Sequence, residues 1–381
     1  MALLEETSTA QKNKWRPDLY IIGAILPILG AWLVTMKSFV GDGNYFSKEL
    51  IWILVAFVFF YLASKIDFRI LKRTSVIVSL YGAAVVALVA LFMIGSITKG
   101  AKNWINLGLF SIQPSDPAKL ILILLLAKYF SRRHIEIANI RHIIVSGIYT
   151  FIMFILVALH PDLGSAITIF FIWFGMVLFS GISKKHLATV FIVGMLVFGG
   201  AWHFAFKDYQ KNRIINFINP SSDVRGSGYN ARQAMITVGS GEMLGKGVGY
   251  GTQSRLQFLP EYQTDFIFAA FAEEWGFVGV LILLGLFAVI IGRILYIASK
   301  GETNFEILFG IGLAIFFMSH LIINIGMNIG LMPVTGIPVP FMSYGGSHLV
   351  TEFIGLGLLM SMRKYSRATH KDRISNEFLG Y

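Results

Sequence analysis

Asp265 closes the polar run Glu261-Tyr262-Gln263-Thr264-Asp265 and stands directly before a long apolar stretch, with Arg255 upstream. A carboxylate at the mouth of an apolar segment is partly desolvated, which raises its proton affinity and suits it to act as a general base. The same position also suits helix capping, because Thr and Asp side chains accept from the orphan N–H groups of a first turn. Lys119 is a second unusual group. It follows Asp116-Pro117-Ala118, whose Asp and Pro are helix-start residues, and precedes Leu120-Ile121-Leu122-Ile123. An ammonium in that setting either snorkels to an interface or binds an anionic phosphate. Asp162 lies in the turn Pro161-Asp162-Leu163-Gly164 and is read as the structural ion-pair partner of Lys119.

Other polar groups sit where apolar ones are expected. Glu273 and Glu274 lie about two helical turns, ~12 Å, beyond Asp265, so at least one needs a partner or a proton. His320, Asn324 and Asn328 share one helix face, and interhelical hydrogen bonding is the common use of such residues. The glycine-rich run 239–251 is not a nucleotide P-loop, since Gly247 follows Lys246 where Ser or Thr is required. Its glycines license close approach of the backbone to a ligand or partner. No His pair at zinc-binding spacing occurs, and the chain has no Cys, which removes thiolate sites; no metal ligands are assigned.

The elements that position these groups follow from composition. Of 381 residues, 55% are hydrophobic and 14% charged, whereas a soluble domain carries about a quarter charged residues. The chain reads as an all-α polytopic membrane protein forming a single domain over 1–381, without internal repeats. Ten spans are expected near 19–37, 49–64, 75–95, 116–131, 143–160, 163–181, 187–206, 265–297, 304–326 and 347–362. An even count puts both termini on one side, and the bias of Lys and Arg toward that side makes it cytoplasmic. The first span, behind the tail 1–18, reads as a retained signal-anchor. Residues 207–264 form one long extracytoplasmic loop, and 363–381 a cytoplasmic tail. The Pro/Gly-rich stretch 332–347 is expected to dip into the external mouth of the bundle and wall a groove. The net charge of +11 is read as topology and attraction to anionic membrane lipid, not as a nucleic-acid signal.

Several stretches taken in order resemble one known family. They are Trp104-Ile105-Asn106-Leu107-Gly108, Gln113-Pro114-Ser115-Asp116 with Lys119, Pro161-Asp162-Leu163-Gly164, Gly245-Lys246-Gly247, Gly251-Thr252-Gln253, Phe258-Leu259-Pro260-Glu261, Thr264-Asp265-Phe266, Glu273-Glu274, and Pro333-Val334-Thr335-Gly336-Ile337-Pro338 through Ser343-Tyr344-Gly345-Gly346-Ser347. Together they resemble the SEDS family (shape, elongation, division and sporulation proteins), its RodA-like branch more than its FtsW and SpoVE relatives.

The resemblance implies a peptidoglycan glycosyltransferase that polymerises lipid II at the outer face of the cytoplasmic (inner) membrane, for cell-wall elongation and cell shape. Its implied partner is a class B penicillin-binding protein, a transpeptidase, with other elongasome proteins such as MreC and MreD. Asp265 matches the family's favoured catalytic carboxylate. Lys119, Lys102, Lys246 and Arg255 are candidates to stabilise the leaving diphosphate, and Asp116, Trp104, Asp162 and Glu261 complete the expected substrate-binding set. The family also allows a divalent cation, Mg or Mn, assisting the pyrophosphate. Two departures stand out: Gln263 replaces the usual His, and Asp116-Pro117 replaces a Glu followed by a non-proline residue. The rival readings are a flippase for the same lipid-linked precursor and a non-catalytic scaffold of the elongasome or divisome.

Overall fold

The computed structural model describes residues 17–38, 43–98, 101–106, 108, 111–132, 140–204, 206–219, 223 and 226–378. In hydrocarbon a backbone must satisfy its polar groups internally, so long apolar runs become helices. Each of the ten hydrophobic segments falls on one helix. The order is α1 (Leu19–Ser38), α2 (Gly43–Lys65), the short α3 (Phe68–Leu71), α4 (Thr74–Ile94), strands β1 (Ser96–Thr98), β2 (Ala101–Asn106) and β3 (Ser111–Ile112), then α5 (Ser115–Ser131), α6 (Ile140–Leu159), α7 (Leu163–Phe179) and α8 (Lys184–Phe204). There follow α9 (Asp208–Ile218), α10 (Ser227–Gly239), α11 (Thr252–Arg255), α12 (Ile267–Ser299), α13 (Asn304–Asn328) and α14 (Gly346–Phe378). Among the described residues, seven helices are long and apolar enough to cross a membrane; α7 is apolar but shorter.

Three features go beyond the sequence expectation. First, the connection between α4 and α5 is not helical: Thr, Trp and Ile there favour extended backbone, and β1-β2-β3 form a small antiparallel sheet with Trp104 opposite Ser96. Second, the long connection 207–264 carries helices of its own. It folds as α9, α10 and α11, with α10 packed on α12 and α13. Third, α12 is broken at Gly276, whose φ of 66° and ψ of −172° leave the helical region.

The break has a physical cause in the glycine-rich run. Lys246 N donates to Glu273 O at 2.9 Å and Gly247 N to Glu274 O at 3.1 Å, while Phe277 N donates to Glu242 O at 2.9 Å and Val278 N to Met243 O at 3.1 Å. The carbonyls and amides orphaned by the break thus find partners in one inserted segment, as buried backbone groups must. A Cβ on Gly245 would lie 2.2 Å from Glu274 O, and one on Gly276 would lie 2.2 Å from Gly245 N. The partner that these glycines admit is the chain's own helix.

The core gathers around α13, which packs against α5, α7 and α12, while α14 runs along α2. At the end carrying the termini, Asp18 is clamped by Arg293 at 2.9 Å and Arg363 at 2.6 Å. Burial opposes its charge, but the hydrogen bond from Arg293 and the two guanidinium charges hold its carboxyl below the usual carboxylate range. At the opposite end the chain between α13 and α14 has no helix yet is packed inward, with Ile337, Val339, Phe341 and Met342 buried. The inward packing is the part of the expectation for 332–347 that the burial bears on.

Candidate active site

The site is built on the polar stripe of α13. Asn324 Nδ2 donates to the carbonyls of Asp265 at 2.9 Å and Ile337 at 2.6 Å. Asn328 Nδ2 donates to Asp265 O at 3.3 Å and to Asn324 Oδ1 at 3.0 Å. His320 Nδ1 lies 3.4 Å from Pro338 O. The stripe therefore does bond between elements, but to irregular backbone whose carbonyls no helix satisfies.

A second set of bonds ties those segments to each other. Ser343 Oγ donates to Thr264 O at 2.9 Å and Tyr344 N to Gln263 O at 3.1 Å. Glu261, in left-handed backbone (φ 51°), accepts at its carboxylate from Thr264 Oγ1 at 3.2 Å. The N-cap position of α12 is Phe266, with no side-chain cap bond, so Asp265 stands one residue outside the cap. Its half-buried carboxylate faces Gly336, where a Cβ would lie 3.3 Å from Oδ2.

Beside this lies a buried cluster of ionisable groups. Lys119 Nζ meets Asp116 Oδ1 at 3.1 Å, both side chains all but inaccessible. His348 Nδ1 approaches the same oxygen at 3.7 Å, and its Nε2 meets Glu352 Oε1 at 2.7 Å. The His320 ring stacks on His348 with centroids 4.7 Å apart. Pro114 occupies the N-cap of α5, so Asp116 and Pro117 sit inside its first turn, where a missing N–H is harmless.

The expected Lys119–Asp162 pair does not form. Asp162 caps α7 by accepting from Ser165 N at 2.9 Å, and it accepts from Gln113 Nε2 at 2.8 Å and Ser115 Oγ at 3.4 Å. The reason is proximity: Asp116 is one helical turn from Lys119 on the same face. His348 and Glu352 were not singled out by sequence reasoning. Their signal was two ionisable residues one turn apart inside an apolar segment.

The remaining candidates lie at the break in α12. Glu273 accepts from Lys246 Nζ at 2.8 Å, Thr252 N at 2.8 Å, Gln253 N at 3.0 Å and Ser254 N at 3.3 Å. Glu274 accepts from Gly249 N at 3.0 Å. Glu273 thus has the partners its depth requires, while Glu274 is met by one amide on Oε1. Lys246, expected to face the diphosphate, instead neutralises Glu273, the buried carboxylate nearest to it. Arg255 is exposed and donates to Gly249 O at 3.4 Å. Trp104 is half-buried on β2; the Lys102 side chain lies outside the described residues.

A family model described as a cell cycle protein of FtsW, RodA and SpoVE type matches residues 17–368. Peptidoglycan glycosyltransferase MrdB of Escherichia coli K12 is 37% identical over 292 residues, which is 77% of this chain and 79% of that one. Stage V sporulation protein E of Bacillus subtilis is 32% identical over 365 residues, covering 93% and 99%. A chain from a peptidoglycan synthase complex, solved for its structural coordination of polymerization and crosslinking, superposes with a TM-score of 0.80 at 28% identity, over 92% of this chain and 98% of that one. Thermus thermophilus rod shape determining protein RodA superposes with a TM-score of 0.69 at 27% identity, over 92% and 98%.

Proposed function

The chain belongs to the FtsW/RodA/SpoVE family, and from that premise we propose that it polymerises lipid II with Asp265 as general base, at the face of the inner membrane opposite its termini. It is a multi-pass membrane protein and a peptidoglycan glycosyltransferase. The 4-hydroxyl of one lipid-linked disaccharide attacks the anomeric carbon of another. The new C–O bond forms as the bond to the diphosphate breaks, undecaprenyl pyrophosphate departs, and the hydroxyl proton passes to the Asp265 carboxylate.

The observation that carries this reading is the placement of Asp265. Its backbone is pinned by Asn324 and Asn328 while its carboxylate faces an exposed glycine. One turn along the same helix, His320 abuts the cluster that holds Lys119. A base just ahead of α12 and a cation on α5 are thereby both braced against α13, which suits the two charges that develop in the reaction. Lys119, with Asp116 beside it, is assigned to the departing diphosphate. Asp162 holds the first turns of α5 and α7 in place, and Trp104, Glu261 and Arg255 are assigned to substrate binding on the family resemblance alone. The helix α8 has no buried residue, which supports an apolar flank open to the polyprenyl tails.

Among the described residues no group of three His, Asp or Glu stands together to hold a metal ion. No step here runs through a metal ion, and a divalent cation assisting the pyrophosphate remains part of the proposal on the family resemblance alone. The likeness to a peptidoglycan synthase complex supports a class B penicillin-binding protein as partner. MreC and MreD remain part of the same proposal on the family resemblance alone. Incubating the purified chain with lipid II in detergent tests the reading: glycan polymer is expected. Transport of unpolymerised lipid II across vesicles by a chain that makes no polymer would favour the flippase, and neither activity the scaffold.

A further inference from the structure

His348 and Glu352 are fully enclosed and lie on α14, outside the assignments above. A buried charge is tolerated only when paired and hydrogen-bonded, and a well-packed apolar pair would often be as stable. Their arrangement therefore calls for a reason. The two ring nitrogens of His348 lie between two carboxylates, 3.7 Å from Asp116 Oδ1 on α5 and 2.7 Å from Glu352 Oε1 on its own helix. These are contacts of charge and not of hydrogen bonding, since neither nitrogen has a hydrogen-bond partner among the described residues. The second Glu352 oxygen accepts from Phe341 N at 3.0 Å.

Phe341 has a φ of 59°, a left-handed conformation that is an outlier for a bulky residue. It is held there by that bond and by its ring, packed 5.3 Å from Phe317 and 5.6 Å from Phe353. Phe341 belongs to the segment that presents Gly336 to Asp265 and sends Ser343 to the Thr264 carbonyl. We propose that His348 and Glu352 form a positioning pair that locks Asp116, and with it Lys119, to the segment facing Asp265.

The pair touches no reacting atom, being walled in by Asp116 and Lys119 from α5, His320 from α13 and Phe341 from the 329–345 segment. It acts by fixing the separation between base and cation. Without His348, Asp116 and Glu352 would face each other across one site with Lys119 as the remaining cation. The inference rests on the assignment of Asp265 and Lys119 made above.

The test uses the full chain in detergent, with lipid II turnover, melting temperature and hydrogen exchange read on the same samples. His348→Leu combined with Glu352→Leu replaces the pair by apolar residues, an exchange often neutral for stability. This double variant is expected to melt close to the parent yet lose about 10–100-fold in kcat, the scale of a displaced reacting group. KM changes far less, and exchange at Phe341 to Tyr344 rises. His348→Gln, whose amide nitrogen can donate to one of the two carboxylates, is expected to recover part of the lost kcat. A folded double variant with parental kcat and parental exchange overturns the proposal. If the double variant does not fold, Glu352→Gln decides: a roughly tenfold drop in kcat at unchanged melting supports it, and parental kcat overturns it. Asp265→Asn is run alongside. Its activity would refute the base assignment, whereas an inactive Asp265→Asn beside a fully active double variant refutes the positioning pair alone.

Discussion

The carboxylate of Asp265 faces the bare Cα of Gly336, at a point where a Cβ would come within 3.3 Å of Oδ2. Gly336 has a φ of 78° and is exposed, so the carboxylate has an approach path on that side. Two independent constraints therefore select glycine there: the left-handed backbone and the space a hydroxyl acceptor needs beside the base.

Gly336→Ala violates both. The left-handed conformation costs a non-glycine residue about 1–2 kcal/mol, a modest loss in melting temperature. Polymerisation should fall much further than this loss explains. Lipid II turnover measured on samples matched for folded fraction checks it; a drop that merely tracks stability would remove the steric part of the account.

Lys119 pairs with Asp116 at 3.1 Å, and this dictates which double variant is informative. Lys119→Met strips a partner from a buried carboxylate and should destabilise by about 3–5 kcal/mol, softened by His348 on the same oxygen. Adding Asp116→Asn should restore melting, whereas adding Asp162→Asn should not. The stable Lys119→Met/Asp116→Asn chain should stay inactive if the ammonium meets the diphosphate. Recovered turnover would reduce Lys119 to a structural role.

The sequence revealed more of the scaffold than of its joints. The ten apolar segments map onto ten helices because hydropathy acts locally, residue by residue. Asp265 was singled out by its company, Glu261 and Arg255 in one polar run before an apolar helix, since Asp at a helix start is common in itself. Asp162 was assigned the wrong partner because pairing between segments depends on packing, and Gln113 and Ser115 carried no signal as its neighbours. Gly276 looked like an ordinary helical glycine. Its role appears only when residues 242–247 are laid across it, a contact remote in sequence. His348 and Glu352 were passed over because each alone resembles a tolerated polar residue in a membrane helix.

The break at Gly276 makes a prediction of its own. Glu273 collects the Thr252, Gln253 and Ser254 amides, and Lys246 contributes one bond from a side chain that is 30% exposed. Glu273→Leu strands several buried donors at about 1–3 kcal/mol each and should unfold the 242–255 segment, seen as fast hydrogen exchange there. Lys246→Met should cost less than Glu273→Leu, because three backbone amides still serve the buried carboxylate, and should leave turnover near normal. A stable but inactive Lys246→Met chain would return Lys246 to the diphosphate.

Topology can be tested without touching the site. The chain has no native Cys, Tyr250 is 72% exposed, and Ser299 is exposed at the far end of α12. Gly241 is unsuited to such labelling, since a Cβ there would lie 2.0 Å from Ala272 O. A Tyr250→Cys chain in intact spheroplasts should react with a membrane-impermeant thiol reagent, and a Ser299→Cys chain should not. The reverse pattern would put the proposed site in the wrong compartment.

The central claim is that Asp265 takes the proton, and Asp265→Asn addresses it most directly. The amide keeps the size of the side chain, and the bonds from Asn324 and Asn328 go to the residue 265 carbonyl, so folding and melting should be preserved. Steady-state polymerisation of lipid II by the purified variant in detergent is the measurement. The account predicts loss of at least about a hundredfold in kcat, the lower range for removing general-base catalysis, in a chain that melts like its parent. Substantial polymerisation by the folded variant would contradict it.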